Sequence, residues 1–222
     1  MAFKIMEIVR KGKATKLLTQ EHIQAMKEHG VPQWYIDSCF KIKYMFPKAH
    51  AAAYMISALR LGWYKVHRPL EYYAAYFTVR SDDFDGVTAI QGKEAVARKM
   101  KELDTKIKNR EASAKEEGEF STLQIINEML ARGIQLLPVD LYKSHSSRFA
   151  VEDGKIRLPF SSLGGVGDAA AVSLVEARQT GGDYISIDDL QARSKVSSAV
   201  IDTLREAGAL SGLPESSQIS LF

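Results

Sequence analysis

Phe46-Pro47-Lys48-Ala49-His50-Ala51-Ala52-Ala53-Tyr54 is the run from which the rest of the chain can be read. Proline holds φ near its helical value and lacks an amide that a helix start leaves unpaired anyway, so Pro47 predicts a helix entry. Lys48 and His50 then fall in the first turn, beside free N–H groups carrying partial positive charge. Cations added to a helix start make a phosphate-binding arrangement. Three alanines leave one face without bulk, so a large partner can approach the backbone. Tyr54 lies one turn after His50, with Ser57 further round the same face. A tight helix-helix contact with a satisfied surface histidine would give the same run, so the pattern alone does not decide.

Outward from there the chain reads as mainly α with a small β element. His50 to His67 forms a helix, Pro69 breaks it, and Leu70 to Thr78 starts another. Upstream, Phe3, Met6, Ile8 and Val9 open a short amphipathic helix. Thr19 is the expected N-cap of a second, running to His29 and stopped by Gly30. Trp34, Tyr35, Ile36, Cys39, Phe40, Ile42 and Tyr44 predict a buried helix. Trp63, Tyr64, Tyr72, Tyr73 and Tyr76 are expected to be core, because aromatics at helical spacing usually pack. Downstream, residues 81–86 form a polar turn, and 91–119 a charged helical run broken at Gly118. Thr122 to Arg132 is an amphipathic helix. Ser147 to Val151 and Lys155 to Leu158 flank Glu152-Asp153-Gly154, an Asp-Gly hairpin signal. Short helices with glycine-rich joints fill 162–213, and Leu213 to Phe222 reads as a flexible tail.

Composition narrows the class. The chain has 222 residues, 45% hydrophobic and 26% charged, which reads as globular. No run of eighteen apolar residues and no secretory leader pattern occurs, so no membrane partner and a cytoplasmic address are expected. Met1-Ala2 reads as a leader ahead of the pattern. A single cysteine, Cys39, excludes an intramolecular disulfide framework and a cysteine-rich zinc site. Residues 1–80 carry 13 Lys/Arg against 5 Asp/Glu, a net of +8, while 81–222 carry 17 against 22, a net of −5. A concentrated positive field favours phosphate partners.

Leu163-Gly164-Gly165-Val166-Gly167-Asp168 precedes an alanine-rich helix, with Asp168 expected as its N-cap. Glycines before a helix expose backbone amides that suit a phosphate without reading a base. The spacing is not that of a dinucleotide site or a nucleotide P-loop. The pattern resembles a helix-hairpin-helix motif, and Ser194-Lys195-Val196-Ser197-Ser198 is a weaker second copy. Gly165, Val166, Gly167, Lys195 and Ser197 are therefore the candidate DNA-binding residues.

The 46–54 run continues as Trp63-Tyr64-Lys65-Val66-His67-Arg68-Pro69-Leu70-Glu71-Tyr72-Tyr73-Ala74-Ala75. Together they resemble the fingers region of C-family replicative DNA polymerases. Val31 to Cys39 and Lys41 to Met45 resemble the PolC branch, the bacterial polymerase III alpha subunit. That resemblance covers nearly the whole chain from Phe3 and implies four parts: a fingers portion over 3–80, a charged connector over 81–133, a tandem helix-hairpin-helix duplex-binding domain over 134–212, and a tail over 213–222. It implies Lys48 and His50 as neighbours of an incoming deoxynucleoside triphosphate, with Tyr54 near its sugar or base. It also implies Gln218-Ile219-Ser220-Leu221-Phe222 as a ligand of the sliding clamp. The Mg2+ ions of such an enzyme are held by palm aspartates outside this chain. Asp83-Phe84-Asp85 reads as a solvated turn, so no catalytic or metal-binding residue is expected here. The implied partners are primer-template duplex, nucleotide, clamp, and the upstream palm and exonuclease regions. The chain alone should be inactive. A stand-alone, non-catalytic DNA- and clamp-binding module is the rival reading.

Overall fold

The computed structural model describes residues 1–216. The predicted mainly helical class with a small β element is borne out. Two compact units divide the chain, Met1–Gly62 and Trp63–Phe222.

In the first unit, α1 (Ala2–Arg10), α2 (Ala14–Leu17), α3 (Gln20–Glu28) and α4 (Gln33–Cys39) surround a small core of Val9, Ala14 and Cys39. Thr19 caps α3 as expected. Its hydroxyl accepts from the His22 amide at 3.4 Å, and His22 Nδ1 accepts from the Thr19 amide at 3.1 Å. Histidine thus takes the place that Glu or Gln fills in the usual capping box. The segment before Phe46 lies along the end of α1, where the Met45 amide donates to the Arg10 carbonyl at 2.9 Å. The buried helix predicted over 31–44 is only the seven residues of α4. Ile36 and Cys39 face inward, whereas Trp34 and Tyr44 are exposed. Two inward positions on two turns make an amphipathic helix, and the aromatic count alone overstated its burial.

Helix α5 (Lys48–His67) is twenty residues long and buries none of them. The division between the units falls after Gly62, inside it. Tyr54 is 67% exposed, and Trp63 and Tyr64 are 53% and 52% exposed. The last two therefore depart from the predicted core. An apolar helix without a covered face is not stabilised by its own surroundings, because helices in water draw most of their stability from packing.

The second unit holds the main core. The helix break expected at Pro69 is present, and α6 (Pro69–Val79) starts at that proline, one residue before the expected Leu70, and buries Tyr73, Ala74 and Phe77. Phe77, Phe84 and Phe149 form an aromatic cluster with centroids 4.7–5.7 Å apart. Tyr73 is fully buried, and burial, followed by the nearby Glu128 carboxylate, pushes its phenol up to about 12. Glu128 also bridges Lys65 at 2.5 Å and Arg132 at 2.9 Å, which fastens the start of this unit to α9 (Ala114–Ala131).

A short 3-10 turn over Ser81–Asp83 leads to α7 (Gly86–Ile90), α8 (Lys93–Lys108) and α9. The predicted break at Gly118 is absent. α9 runs straight through it, starting from a Ser113–Glu116 capping box. Gly118 is there for clearance: a Cβ at that position would collide with the Asp83 carboxylate. β1 (Leu136–Leu137), β2 (Ala150–Glu152) and β3 (Lys155–Arg157) make a sheet ordered β1-β3-β2, parallel then antiparallel. The Asp-Gly turn is as predicted, with Asp153 and Gly154 both at positive φ, 49° and 76°. Arg157 grips Glu152 through two 2.8 Å bonds, and with Lys143 it holds that carboxyl down at about 2. Buried Ile156 links the sheet to α10 (Asp168–Gly181), α11 (Ile187–Ser194) and α12 (Ser198–Glu206), which contribute Leu174, Leu190 and Leu204.

Candidate nucleic-acid interface

The turn before α10 is built by glycine and one buried side chain. Gly165 adopts φ 97°, a conformation that side chains rarely tolerate, and the turn closes with the Val166 amide donating to the Leu163 carbonyl at 3.0 Å. Val166 itself is 4% exposed and plugs the core. Gly167, at φ −71° and ψ 161°, is the N-cap. Asp168 is thus the first helical residue rather than the predicted cap, and no side chain caps α10. With the cap position side-chain-free, the amides of Asp168, Ala169 and Ala170 have no partner inside the helix. Gly164, Gly165, Gly167, Asp168 and Ala169 are exposed.

Thirty positions later the same backbone recurs. Lys195 is left-handed at φ 56°, Val196 is buried, and Ser197 is the N-cap of α12 at φ −72° and ψ 159°. Positive φ, then buried valine, then extended cap is the order in both turns. The weaker second motif therefore has the geometry of the first, with lysine and serine in place of two glycines. The Ser197 hydroxyl is partly engaged, accepting from the Val200 amide at 3.4 Å. The Ser173 hydroxyl on α10 donates to the Ser194 carbonyl at 2.5 Å, tying the first motif's helix to the second turn. Thr203 of α12 packs on the first turn, so that a Cβ on Gly165 would sit 3.3 Å from its Oγ1. Thr203 was not legible as a site neighbour, since nothing in the sequence predicts how the two turns pack. The candidate DNA-binding residues therefore divide. Gly165 and Val166 shape the first turn, and the Val166 amide is already spent. Gly167 exposes the helix start, and Lys195 and Ser197 mark the equivalent place in the second turn.

The first turn opens on a cleft lined by Asp82, Asp83, Asp85, Glu119 and Asp168, with Lys99 and Lys115. Burial, and after it a balance of neighbouring charges that includes Asp85, raises the Glu119 carboxyl above its ordinary range. Two of the three carboxylates of the 81–86 turn have structural partners. Asp83 packs on Gly118 and pairs with Arg80 at 3.5 Å, while Asp85 caps α7 by accepting from the Thr88 amide at 3.1 Å and from its hydroxyl. Among the described residues no group of three or more His, Cys, Asp or Glu side chains is placed to hold a metal ion. Asp83 and Asp85 are held by structural contacts.

At the start of α5, in the first unit, His50 and Tyr54 are brought together, while Lys48 is the first helical residue and contacts neither ring. The Ala51 amide reaches back to the Pro47 carbonyl at 3.1 Å, so the amides of Lys48, Ala49 and His50 lie before the first intrahelical bond. The His50 ring sits between Phe46, at 4.9 Å, and Tyr54, at 4.4 Å, and Phe46 in turn stacks on Tyr44 at 6.2 Å. All of these side chains are exposed. Ser57 is not available to the same ligand in the simplest way, because its hydroxyl donates to the Ala53 carbonyl at 3.1 Å. The pentapeptide Gln218–Phe222 lies outside the described residues. No helix among the described residues is long and apolar enough to cross a membrane.

Comparison with known proteins agrees with this geometry. Residues 133–219 match the helix-hairpin-helix motif family. Along its whole length the chain is 50% identical to a "DNA polymerase III PolC-type" of Halalkalibacterium halodurans and to one of Listeria monocytogenes. It is 51% identical to another from Clostridium perfringens. It spans 15% of the length of each of these relatives. The resemblance read from residues 31–75 is borne out, as is the helix-hairpin-helix reading of 163–198.

Proposed function

We infer that this chain serves as the duplex-, nucleotide- and clamp-handling portion of a PolC-type DNA polymerase III working in the cytoplasm. The observation that carries the reading is the repeated turn: two helix starts thirty residues apart, each with a buried valine and an extended cap, inside a stretch that matches the helix-hairpin-helix family. Helix starts bind phosphate through amides that need no side chain, so such a pair tracks a duplex backbone without reading sequence. The start of α5 would hold the triphosphate of an incoming nucleotide, with Lys48 and His50 as cations and Tyr54 against the sugar or base. Gln218–Phe222 would tether the polymerase to its sliding clamp.

Nucleotidyl transfer in this reading depends on Mg2+ held by palm carboxylates elsewhere in the polymerase, while Asp83 and Asp85 here make structural contacts. No catalytic step is assigned to this chain. Its own residues bind and orient. The purified 222-residue chain should bind a primer-template duplex with an affinity that falls steeply as KCl rises, and should extend no primer. Fluorescence anisotropy across a salt series, with a primer-extension assay beside it, checks both. Salt-insensitive binding would refute phosphate contact. Extension by the chain alone would make Asp83 and Asp85 metal ligands after all.

A further inference from the structure

We propose that Leu213, Pro214 and Glu215 form an anchor that fixes where the clamp-binding pentapeptide leaves the protein, so that the sliding clamp docks beside the start of α11. The inference rests on the clamp-binding reading of Gln218–Phe222 and deepens it. The tail expected over 213–222 is held in its first three residues. Gly212, at φ 92°, turns the chain after α12, and the Leu213 amide donates to the Leu210 carbonyl at 3.1 Å. Leu210 is buried, and Leu213 packs against the same core. The Pro214 carbonyl then accepts from the Ile187 amide at 2.9 Å, and the Glu215 carbonyl from the Asp188 amide at 3.1 Å.

Those two amides explain the attachment. They are the first of α11, which a helix leaves without internal partners. The Asp189 amide, next in line, donates to the Ser186 hydroxyl at 3.1 Å. Unlike the start of α10, the start of α11 is therefore closed by the chain itself. A side-chain clasp is added: Arg205 of α12 donates from Nη2 to both Glu215 carboxylate oxygens, at 3.0 and 3.1 Å, and from Nη1 to Asp202 at 2.9 Å. The consequence is one of reach. Only Ser216 and Ser217 separate Glu215 from Gln218. Three steps of extended chain span about 10 Å at most, so the clamp groove that takes the pentapeptide lies that close to the start of α11. A tail released from Ser211 onward would reach about 25 Å. Short tethers raise the effective concentration of a second site that they can span, roughly as the −3/2 power of length. The anchor thus favours holding duplex and clamp at once.

The test lengthens the tether. The parent chain is compared with a variant carrying roughly ten added Gly/Ser residues between Ser216 and Ser217, a flexible spacer. Both are titrated against the sliding clamp alone and against a clamp closed around a primer-template with blocked ends. Affinity for the clamp alone should be unchanged. Affinity for the DNA-threaded clamp should fall about fifteenfold, whereas a tail released from Ser211 onward would lose only about fourfold. Arg205→Glu sets a like charge against Glu215, and the Ile187 and Asp188 amides should then exchange hydrogen about threefold or more faster, with helix content by circular dichroism unchanged. A loss of about fourfold or less on insertion overturns the anchor and leaves clamp binding standing. Unaltered exchange in Arg205→Glu takes Arg205 out of the anchor. A parent chain that does not bind the clamp overturns both the anchor and the clamp-binding reading.

Discussion

Gly167→Asp is expected to strip the chain of most of its duplex affinity while leaving it as stable as before, or slightly more so. The two effects have one cause. Gly167 sits at φ −71° and ψ 161°, a backbone that any residue adopts at a helix N-cap, and a Cβ there meets nothing within 4 Å. Aspartate is among the preferred N-caps, and its carboxylate would accept from the Ala169 or Ala170 amide, worth a few tenths of a kcal/mol over glycine. The same carboxylate would then occupy the amides that the phosphate needs and add a negative charge to an acidic rim. Affinity should fall about tenfold or more at moderate salt. Gly167→Asn supplies a similar cap without the charge and should lie between the two. Thermal unfolding and duplex titration of the three proteins decide the matter. A destabilised Gly167→Asp, or one that binds DNA as tightly as the parent, contradicts an amide-based site.

The second large effect concerns the start of α5. In a polymerase that carries this chain, Lys48→Ala and His50→Ala should each lower kcat/KM for nucleotide about tenfold to a hundredfold. The basis is the loss of one charge-assisted hydrogen bond to phosphate, about 1.5–3 kcal/mol. Tyr54→Phe should cost little, because Tyr54 contributes its ring, packed edge-on against His50, whereas Tyr54→Leu should weaken that support. Single-nucleotide incorporation kinetics separate these cases. Unaltered kinetics in both alanine variants would remove Lys48 and His50 from the nucleotide site.

Much of this architecture was legible because local signals and tertiary demands agreed. Pro69 at a helix break, Thr19 at an N-cap and Asp153-Gly154 in a hairpin each state a backbone requirement that few other residues meet. The failures share a different character. Gly118 was read for its conformational freedom, yet its role is to make room for Asp83, a neighbour distant in sequence. Asp168 looked like a cap by type, but the turn ends one residue earlier and leaves the cap position without a side chain. Trp63 and Tyr64 looked like core because aromatics at helical spacing usually are. They lie instead on a helix that buries nothing within the described residues, and the relatives, far longer than this chain, offer polypeptide that could cover it. Both turns were found in the sequence, the second as a weaker copy of the first, but the closeness of their backbones was not legible, because Lys195-Val196-Ser197 follows the order of a glycine turn with ordinary side chains.

The most direct measurement is amide chemical-shift mapping of the 222-residue chain titrated with a short duplex. The account predicts that the amides of Gly167 to Ala170 and of Ser197 to Val200 shift together and saturate at one concentration of DNA. Shifts confined to other surfaces, with both helix starts silent, would contradict it.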